Sequence, residues 1–467
     1  MSLWRKILTN LPEVSAPTQR KLSFKEKLKW TLIILVLFFV LGMVPLFGLG
    51  QNALQRFELL SVILGAQMGS ILSLGIGPLV TASIVLQLLN GSGIIKFDLE
   101  SKEGRQTFQG VQKAGSVFFI MFEAAIYVFM GGLAPAPELL GTAAFFQLEL
   151  VLIFQLILGG LLIMFMDEVV SKWGFGSGVS LFIAAGVSQS VFIRALSPLP
   201  SPTNPGIATG AIPALFQSLA AGDPQTALLM IAGVASTIFV FVIAVYAQSM
   251  KVEIPLSFGR IRGHGIRWPL SFIYTSNIPV ILVSALLANI QLFARLLENW
   301  GLPLLGRFSG NTPISGLVSW ISSPDIVGKI IRGSLVLGDI GHSFIYIIIM
   351  LVGCVIFSWF WVQTSGMDAN AQAKKIMSSG LQIPGFRKDE RVLERLLKRY
   401  ITPLTVMGAI AVGILAAVAD LSGALTSGTG LLLTVMIVYK LYEDIAKQHM
   451  MDMNPMLRKF MGGGATF

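Results

Sequence analysis

Charged residues are scarce in this chain. They make up 12% of its 467 residues, whereas 54% are hydrophobic. A soluble domain carries roughly 25% charged residues, so this chain would leave much of its apolar surface uncovered if it folded in water. The composition excludes an ordinary soluble protein and indicates a polytopic membrane protein.

Cysteine and histidine are also nearly absent. The single cysteine, Cys354, excludes an internal disulfide, and the three histidines are far apart in the chain. No histidine accompanies a serine in an apolar run, and no His/Glu spacing is typical of a catalytic metal. Glu123 is the one carboxyl in the middle of an apolar run. The sequence therefore predicts no enzyme, no metal and no cofactor.

The N-terminal segment lacks an early apolar core. Residues 1–29 do not have the pattern of a cleavable signal peptide, so we expect the first span to act as the insertion signal. Within this segment, residues 20–30 (RKLSFKEKLKW) alternate basic and apolar side chains with helical spacing. This pattern is consistent with an amphipathic helix on the inner membrane surface, or with a charged flank of the first span.

Long apolar runs recur along the whole chain. A transmembrane helix needs about 20 apolar residues, and ten segments approach or exceed that length. They are 30–50, 73–90, 112–133, 144–166, 177–196, 227–250, 270–293, 341–363, 402–420 and 428–446. Ten spans permit two halves of five, which would face opposite ways in the membrane, although no strong internal sequence repeat accompanies this division.

Lysine and arginine are distributed unevenly between the two sides of this layout. With the N-terminus in the cytoplasm, only six of the 34 fall on the outside. These six are Arg56, Arg194, Arg295, Arg307, Lys329 and Arg332. Because cytoplasmic loops carry an excess of basic residues, the distribution supports the ten spans and predicts that both termini are cytoplasmic.

The second span contains a break. Its sequence, SILSLGIGPLVTASIVLQLLN (70–90), places Gly75, Gly77 and Pro78 inside an uncharged run, where glycine and proline disfavour a helix. A broken span is typical of ion-coupled transporters, but the neighbouring Ile76 and Val80 offer an ion no ligand. Irregular backbone at membrane depth is tolerated inside protein or beside water. The pattern therefore favours a conduit with an apolar waist and a short helical stopper.

Several stretches resemble one family, the SecY channel subunits of the Sec protein translocase, and are closest in wording to its archaeal and eukaryotic branch. The resemblance covers nearly the whole chain. The stretches are FKEKLKW (24–30), LGIGPLVTASIVLQLLNGSGII (74–95), SKWGFGSGVSLFIAAGVSQ (171–189), MKVEIPLSFGRIRG (250–263), SNIPVILVSALLANIQ (276–291), YITPLTVMGAI (400–410) and GTGLLLTVMIVY (428–439). The resemblance implies an all-α polytopic fold with ten transmembrane helices in two inverted five-helix halves around a central pore, with a short plug half-helix.

This fold divides the chain into five parts. The expected parts are a cytoplasmic amphipathic segment (1–29), a first half (30–196) that includes the plug (57–72), an external linker (197–226), a second half (227–446) and a cytoplasmic tail (447–467). The resemblance also places an aliphatic pore ring on Ile76, Val80, Val179, Ile183, Ile281 and Leu433. It implies plug residues at Glu58, Leu64, Gly65, Met68 and Gly69.

The resemblance further implies a lateral gate with a polar cluster of Thr81, Glu123 and Asn289. Otherwise Glu123 would simply hold its span to a neighbour. Basic residues expected to contact a ribosome, including its rRNA, are Arg260, Arg262, Arg387 and Lys388, whereas most other cytoplasmic Lys and Arg serve topology. The other implied partners are a SecE-like clamp subunit, a Sec-beta-like subunit, nascent chains with a signal sequence, membrane lipid and the signal recognition particle receptor.

We therefore expect a multi-pass protein of the cell membrane that conducts polypeptides and releases transmembrane segments sideways into lipid. An ion-coupled secondary transporter is the main alternative, and an intramembrane hydrolase is the other.

Overall fold

The computed structural model describes residues 11–18, 22–50, 69–91, 94–95, 97, 101–200, 206–258, 265–309, 312–378, 381–382 and 390–453. Ten helices correspond to the ten predicted spans. They are α1 (Phe24–Gly42), α2 (Gly77–Gly91), α3 (Lys102–Phe129), α4 (Ala143–Trp173), α5 (Gly178–Leu196), α7 (Pro224–Ser249), α8 (Ile278–Asn299), α11 (Leu337–Thr364), α13 (Glu390–Leu421) and α14 (Gly428–Met453).

The connections contain smaller elements. Within the described ranges these are the helices α6 (Ala211–Ala220), α9 (Leu317–Ile321), α10 (Ile326–Ile331) and α12 (Ala369–Ser378), a 3-10 turn (Pro137–Leu139), and the strands β1 (Lys251–Phe258), β2 (Gly265–Ser271), β3 (Gly306–Ser309), β4 (Thr312–Gly316) and β5 (Leu381–Gln382). Among the described residues, seven helices are long and apolar enough to cross a membrane: α3, α4, α5, α7, α8, α11 and α13. The shorter α2 and the partly charged α1 and α14 complete the ten.

Several helices begin at side chains that accept a hydrogen bond from the first turn. Ser23 caps α1, Ser101 caps α3 and Thr142 caps α4. Such caps satisfy backbone N–H groups that have no partner within the helix. The cap at Ser23 starts α1 at Phe24, so residues 24–30 are the first turns of this helix. The structure therefore agrees with a charged flank of the first span, not with a separate surface helix.

Large apolar side chains cover the outside of the helical body. Phe154 and Leu158 on α4 are exposed, as are Ile238 and Phe241 on α7. Contiguous apolar surface of this kind is unfavourable in water and suits lipid contact. By contrast, α8 is enclosed along most of its length. The packing therefore places α8 at the centre of the molecule and α7 at its lipid-facing edge.

The two groups of five helices meet along two seams. On one side α5 of the first group packs against α14 of the second; on the other, α2 packs against both α8 and α11. One continuous apolar cluster fills the space between the seams. The central axis of the molecule therefore runs between the two halves. The broken second span lies at one of the two seams.

The break in the second span is an irregular segment, 69–76, that is buried in the protein. Leu72 and Leu74 are completely buried, and Gly75 has a positive φ of 56°. The segment also pairs with the end of α1, because the Leu46 N–H donates to the Gly69 carbonyl at 2.9 Å. Its non-helical backbone therefore lies inside protein, where such backbone is tolerated at membrane depth.

The segment 69–76 crosses the middle of α4 at a glycine. A Cβ on Gly159 would lie 1.9 Å from the carbonyl oxygen of Ile71. Only a residue without a side chain allows the backbone to approach this closely. Gly159 is near the midpoint of Ala143–Trp173, so the irregular segment reaches the central layer of the helical body.

The strands lie in the connections. We call the face at which α1 begins the N face and the other the opposite face. At the N face, β1 and β2 form an antiparallel hairpin between α7 and α8, and β5, which follows α11, pairs with β1 at Ser257 and Phe258. At the opposite face, β3 and β4 form a hairpin after α8. The shared sheet at the N face joins two connections that are more than a hundred residues apart.

Candidate pore constriction and lateral gate

Five of the six aliphatic residues predicted for the pore ring lie on four helices of the central axis, and the sixth adjoins one of them. Ile76 immediately precedes α2, Val80 is in its first turn, Val179 and Ile183 are on α5, Ile281 is on α8, and Leu433 is on α14. Five of them belong to the central apolar cluster, and the half-buried Val179 packs against it. The structure therefore brings residues from both halves into one apolar region, while their role as a ring remains a prediction.

The three polar residues predicted for the gate form a hydrogen-bonded chain. The Asn289 side-chain amide donates to the Thr81 hydroxyl at 2.7 Å, and the Thr81 hydroxyl lies 3.3 Å from Glu123 Oε1. The same hydroxyl is 2.8 Å from the Gly77 carbonyl. These contacts connect α8, α2 and α3 at the seam between the halves.

This polar chain is enclosed by apolar side chains. Glu123 is 1% exposed and Asn289 is 5% exposed. Among the described residues, the second Glu123 oxygen, Oε2, and the Asn289 amide oxygen, Oδ1, have no hydrogen-bond partner. A buried polar group without a partner costs about 1–3 kcal/mol, so the cluster has capacity for a further donor such as water.

Tyr127 is a polar neighbour that sequence reasoning missed. It is on α3 one turn after Glu123 and is 2% exposed, and its hydroxyl also has no partner in the part of the chain that the structure describes. The i,i+4 spacing places both side chains on the same face of the helix. This spacing could have revealed the pair from the sequence, but a tyrosine in an apolar span is ordinarily part of the packing.

Most of the predicted plug lies outside the described residues. This applies to Glu58, Leu64, Gly65 and Met68. Gly69 is described and has a positive φ of 87°, and its N–H donates to the Ser73 hydroxyl at 2.9 Å. It begins the buried segment 69–76, which runs directly into α2.

The four predicted ribosome contacts also lie outside the described residues. Arg260 and Arg262 belong to the connection between β1 and β2, and Arg387 and Lys388 to the connection between β5 and α13. The strands that flank these connections are described and belong to one sheet, in the order β2-β1-β5.

The structure contains no group of three or more metal-ligating side chains in the part of the chain that it describes. An apolar cluster shared by two five-helix halves, with a polar contact across one seam, is the arrangement expected of a membrane channel. The family model for SecY matches residues 70–442. The chain belongs to the SecY family.

Proteins of similar sequence and structure belong to the same family. The SecY protein translocase subunit of Methanothermobacter thermautotrophicus is 47% identical over 456 residues, which are 97% of each chain. A solved SecY structure, described as showing that the plug domain stabilises the closed translocation channel and maintains a membrane seal, has a TM-score of 0.82 and 42% identity and covers 97% of this chain and 98% of its own.

Canine Sec61 in a ribosome-channel complex from the endoplasmic reticulum is also similar. It has a TM-score of 0.79 and 41% identity, and the match covers 97% of this chain and 98% of that one. The chain is thus a subunit of a protein-conducting channel, and the family is not one of enzymes. These similarities do not support the alternative of an ion-coupled transporter.

Proposed function

We propose that polypeptides cross the membrane between the six aliphatic residues of the predicted ring. The observation that carries this proposal is that these residues come from both halves and share one apolar cluster. Aliphatic side chains seal a constriction by excluding water, not by coordinating ions. Such a ring also accepts any polypeptide side chain, because it makes no directional contact.

The seam formed by α2 and α3 on one side and α8 and α11 on the other acts as the lateral gate. In the structure α2 packs against α8 and α11, so the seam is closed. A polar contact between membrane helices contributes about 0.6–2 kcal/mol. The Asn289–Thr81–Glu123 chain therefore favours the closed seam, but an apolar signal sequence that packs between the helices can replace it.

Residues 57–72 act as the plug. The support is the buried segment 69–76, which connects the end of this stretch to α2 and contains Ile76 of the predicted ring. The solved SecY structure with a plug that seals the closed channel provides a second argument. Gly69 at the junction adopts a left-handed conformation, which allows the chain to turn sharply there.

The two connections joined by the β2-β1-β5 sheet dock a ribosome through Arg260, Arg262, Arg387 and Lys388. Similar canine Sec61 occurs in a ribosome-channel complex. Arginine binds RNA phosphate through the planar fork of its guanidinium group. The pairing of β1 with both β2 and β5 supports joint binding, because each of the two connections adjoins a strand of the same sheet.

The channel works in the cell membrane with both termini in the cytoplasm, which makes the N face the cytoplasmic one. The halves comprise residues 30–196 and 227–446, between the N-terminal segment 1–29, the linker 197–226 and the tail 447–467. A SecE-like clamp subunit and a Sec-beta-like subunit bind the exposed helices, and the signal recognition particle receptor delivers ribosomes. The uneven distribution of Lys and Arg supports this orientation.

Site-specific photocrosslinking tests the proposed path. A photoreactive amino acid at Ile281 should crosslink a nascent secretory chain on a stalled ribosome, and only when that chain has a signal sequence. The control is the same amino acid at Val242, which is 58% exposed on the outside of α7. Loss of the Ile281 crosslink while ribosomes remain bound would contradict the proposed path.

A further inference from the structure

Two helices from opposite halves begin with the same dipeptide, Ser-Gly. Ser177-Gly178-Val179 starts α5, and Ser427-Gly428-Thr429 starts α14. Each start is followed by a residue of the predicted ring at the same distance, because Ile183 is five residues after Gly178 and Leu433 is five residues after Gly428. The two helices begin at opposite faces of the molecule, as an inverted repeat requires.

Each of these helix starts is held by an aspartate from the preceding long helix. The Val179 N–H donates to Asp167 Oδ1 at 2.9 Å, and the Thr429 N–H donates to Asp420 Oδ1 at 2.7 Å. Asp167 is near the end of α4 and Asp420 is near the end of α13. The two contacts are therefore counterparts in the inverted halves.

The glycine in each start allows this approach. A Cβ on Gly178 would lie 2.5 Å from the Asp167 Cα, and a Cβ on Gly428 would lie 2.3 Å from the Asp420 backbone nitrogen. A side chain at either position would push the helix start away from its aspartate. The same residue type thus serves the same purpose in both halves.

Asp420 has additional partners. The Tyr346 hydroxyl on α11 donates to Asp420 Oδ2 at 2.7 Å, and the Thr429 hydroxyl also contacts this carboxylate. Asp420 therefore ties α11, α13 and α14 together. These residues line a cavity of about 700 Å³ that also borders α8.

The packing of α5 on α14 places the two ring residues at one level. A Cβ on Gly430 would lie 3.3 Å from Val187 Cγ2, so these positions face each other. The two helices are antiparallel, so moving backward along α5 and forward along α14 leads in the same direction. Ile183 is four residues before Val187, and Leu433 is three residues after Gly430, so the two ring residues lie at about the same level. Each lies about 7.5 Å from the start of its helix, at 1.5 Å per residue.

This geometry places both helix starts within the membrane. The hydrocarbon core is about 30 Å thick, so a helix that starts about 7.5 Å from a central ring begins below the surface. Its first N–H groups have no partner within the helix, and a backbone group left without a partner in that environment is strongly unfavourable. An aspartate that accepts those N–H groups fixes the depth at which the helix begins.

We infer that Asp167 and Asp420 are a symmetric pair of positioning residues that hold α5 and α14 at matched depths, so that Ile183 and Leu433 meet across the central axis. The inference deepens the proposed constriction and rests on it for its functional meaning. Whether Ile183 and Leu433 lie at the same depth can be measured without a translocating chain.

Disulfide crosslinking measures this pairing. Ile183→Cys and Leu433→Cys are introduced together after Cys354→Ala has removed the single native cysteine, and the full chain is assayed in membranes. The parent pair should form a disulfide rapidly upon mild oxidation. Asp167→Ala or Asp420→Ala should lower the rate several-fold, whereas Asp167→Asn or Asp420→Asn should preserve it because the amide oxygen still accepts the N–H.

Asp223→Ala provides the matched control. Asp223 caps α7 by accepting from Gln225 N and Thr226 N, and α7 contains no residue of the predicted ring. Its loss should affect stability alone. An unchanged crosslinking rate in both alanine variants, or an equal loss in Asp223→Ala, would overturn the inference. So would the absence of a crosslink in the parent pair.

A second variant covers the case in which Asp420→Ala does not accumulate. Thr429→Pro removes the backbone donor and keeps the carboxylate, and proline is accepted in the first turn of a helix. It should lower the crosslinking rate as Asp420→Ala does, and an unchanged rate would contradict the inference. A normal Ile183–Leu433 crosslink with no nascent-chain crosslink at Ile281 would refute the proposed path and leave the positioning role intact.

Discussion

The Asn289 side chain and the Thr81 hydroxyl are 208 residues apart in sequence and 2.7 Å apart in space. Their hydrogen bond joins the second span of one half to the central helix of the other. Glu123 extends the contact to α3. This series of hydrogen bonds thus crosses the seam through which an apolar segment would have to pass from the channel into lipid.

Asn289→Leu should make the gate easier to open. Removing a polar contact worth about 0.6–2 kcal/mol shifts the gate equilibrium by about 3- to 30-fold. We expect signal sequences of lower hydrophobicity to be accepted, as measured by translocation of substrates with graded signals. Gln291→Leu, on the same helix and half-buried, should leave the threshold unchanged. An unchanged threshold in Asn289→Leu would show that the contact does not hold the gate.

Gly159→Ala should displace the buried segment 69–76. Its Cβ would overlap the Ile71 carbonyl oxygen, and backbone cannot move aside as a flexible side chain can. Overpacking of this kind typically costs about 1–3 kcal/mol. We expect a lower melting temperature and a larger ion leak in proteoliposomes.

Gly338→Ala is the control for this experiment. Gly338 is in α11, and a Cβ there would meet nothing within 4 Å. It should leave the melting temperature and the ion leak unchanged. If the two variants behaved alike, the close approach of Gly159 to Ile71 would have no structural consequence.

The attachment of the N-terminal segment to α4 should depend on pH. Lys172 contacts Glu13 and also donates to the Val14 carbonyl at 2.6 Å. The hydrogen bond from Lys172 lowers the pKa of the Glu13 carboxyl. Because the pKa is lowered, the contact stabilises the segment fully when the pH is above the ordinary glutamate pKa of about 4.3. This stabilisation is lost as the pH falls through the lowered pKa.

Hydrogen exchange at Val14 measures this attachment, because its N–H donates to Glu168 Oε2 at 2.9 Å. The protection of this N–H, relative to its intrinsic exchange rate at each pH, should fall as the pH drops through the lowered pKa of Glu13. Glu13→Gln should remove the part of this pH dependence that Glu13 contributes and speed exchange at neutral pH. Glu26→Gln, in the first turn of α1, serves as the control. A profile that is identical in Glu13→Gln and the parent would assign the pH dependence to another group.

Arg260→Glu and Arg387→Glu should each weaken ribosome binding. If each arginine contacts RNA phosphate, its loss should also reduce the slope of log affinity against log salt by about 1. Arg332→Glu, at the opposite face, is the control. Sedimentation of ribosomes with membranes at several salt concentrations gives both quantities. Weaker binding with an unchanged slope would indicate a protein contact instead of an RNA contact.

The sequence predicted the spans because hydropathy records contact with lipid. It misplaced helix ends by several residues where a helix continues into a polar region. Thus α1 begins at Phe24 instead of residue 30, and α14 continues to Met453. The partners of Thr81 were expected only through the family resemblance, since no local pattern connects positions so far apart.

The paired aspartates were not predictable from the sequence alone. Asp167 precedes Gly178 by eleven residues, whereas Asp420 precedes Gly428 by eight, so the two halves do not align without a gap. The shared Ser-Gly dipeptide is too short to stand out. Their equivalence depends on how one helix packs onto the start of the next, which is a tertiary property.

The short pairing between residues 44–46 and 69–71 limits how far the intervening chain can travel. Leu46 and Ile71 each donate a backbone hydrogen bond across it, so the two ends of the stretch 47–68 lie next to each other. About eleven residues of fully extended chain span at most about 40 Å, which is the farthest that the middle of this stretch can lie from the pairing. If the plug lies in this stretch, as we propose, its return to the closed position is an intramolecular event, for which effective concentrations are in the millimolar range.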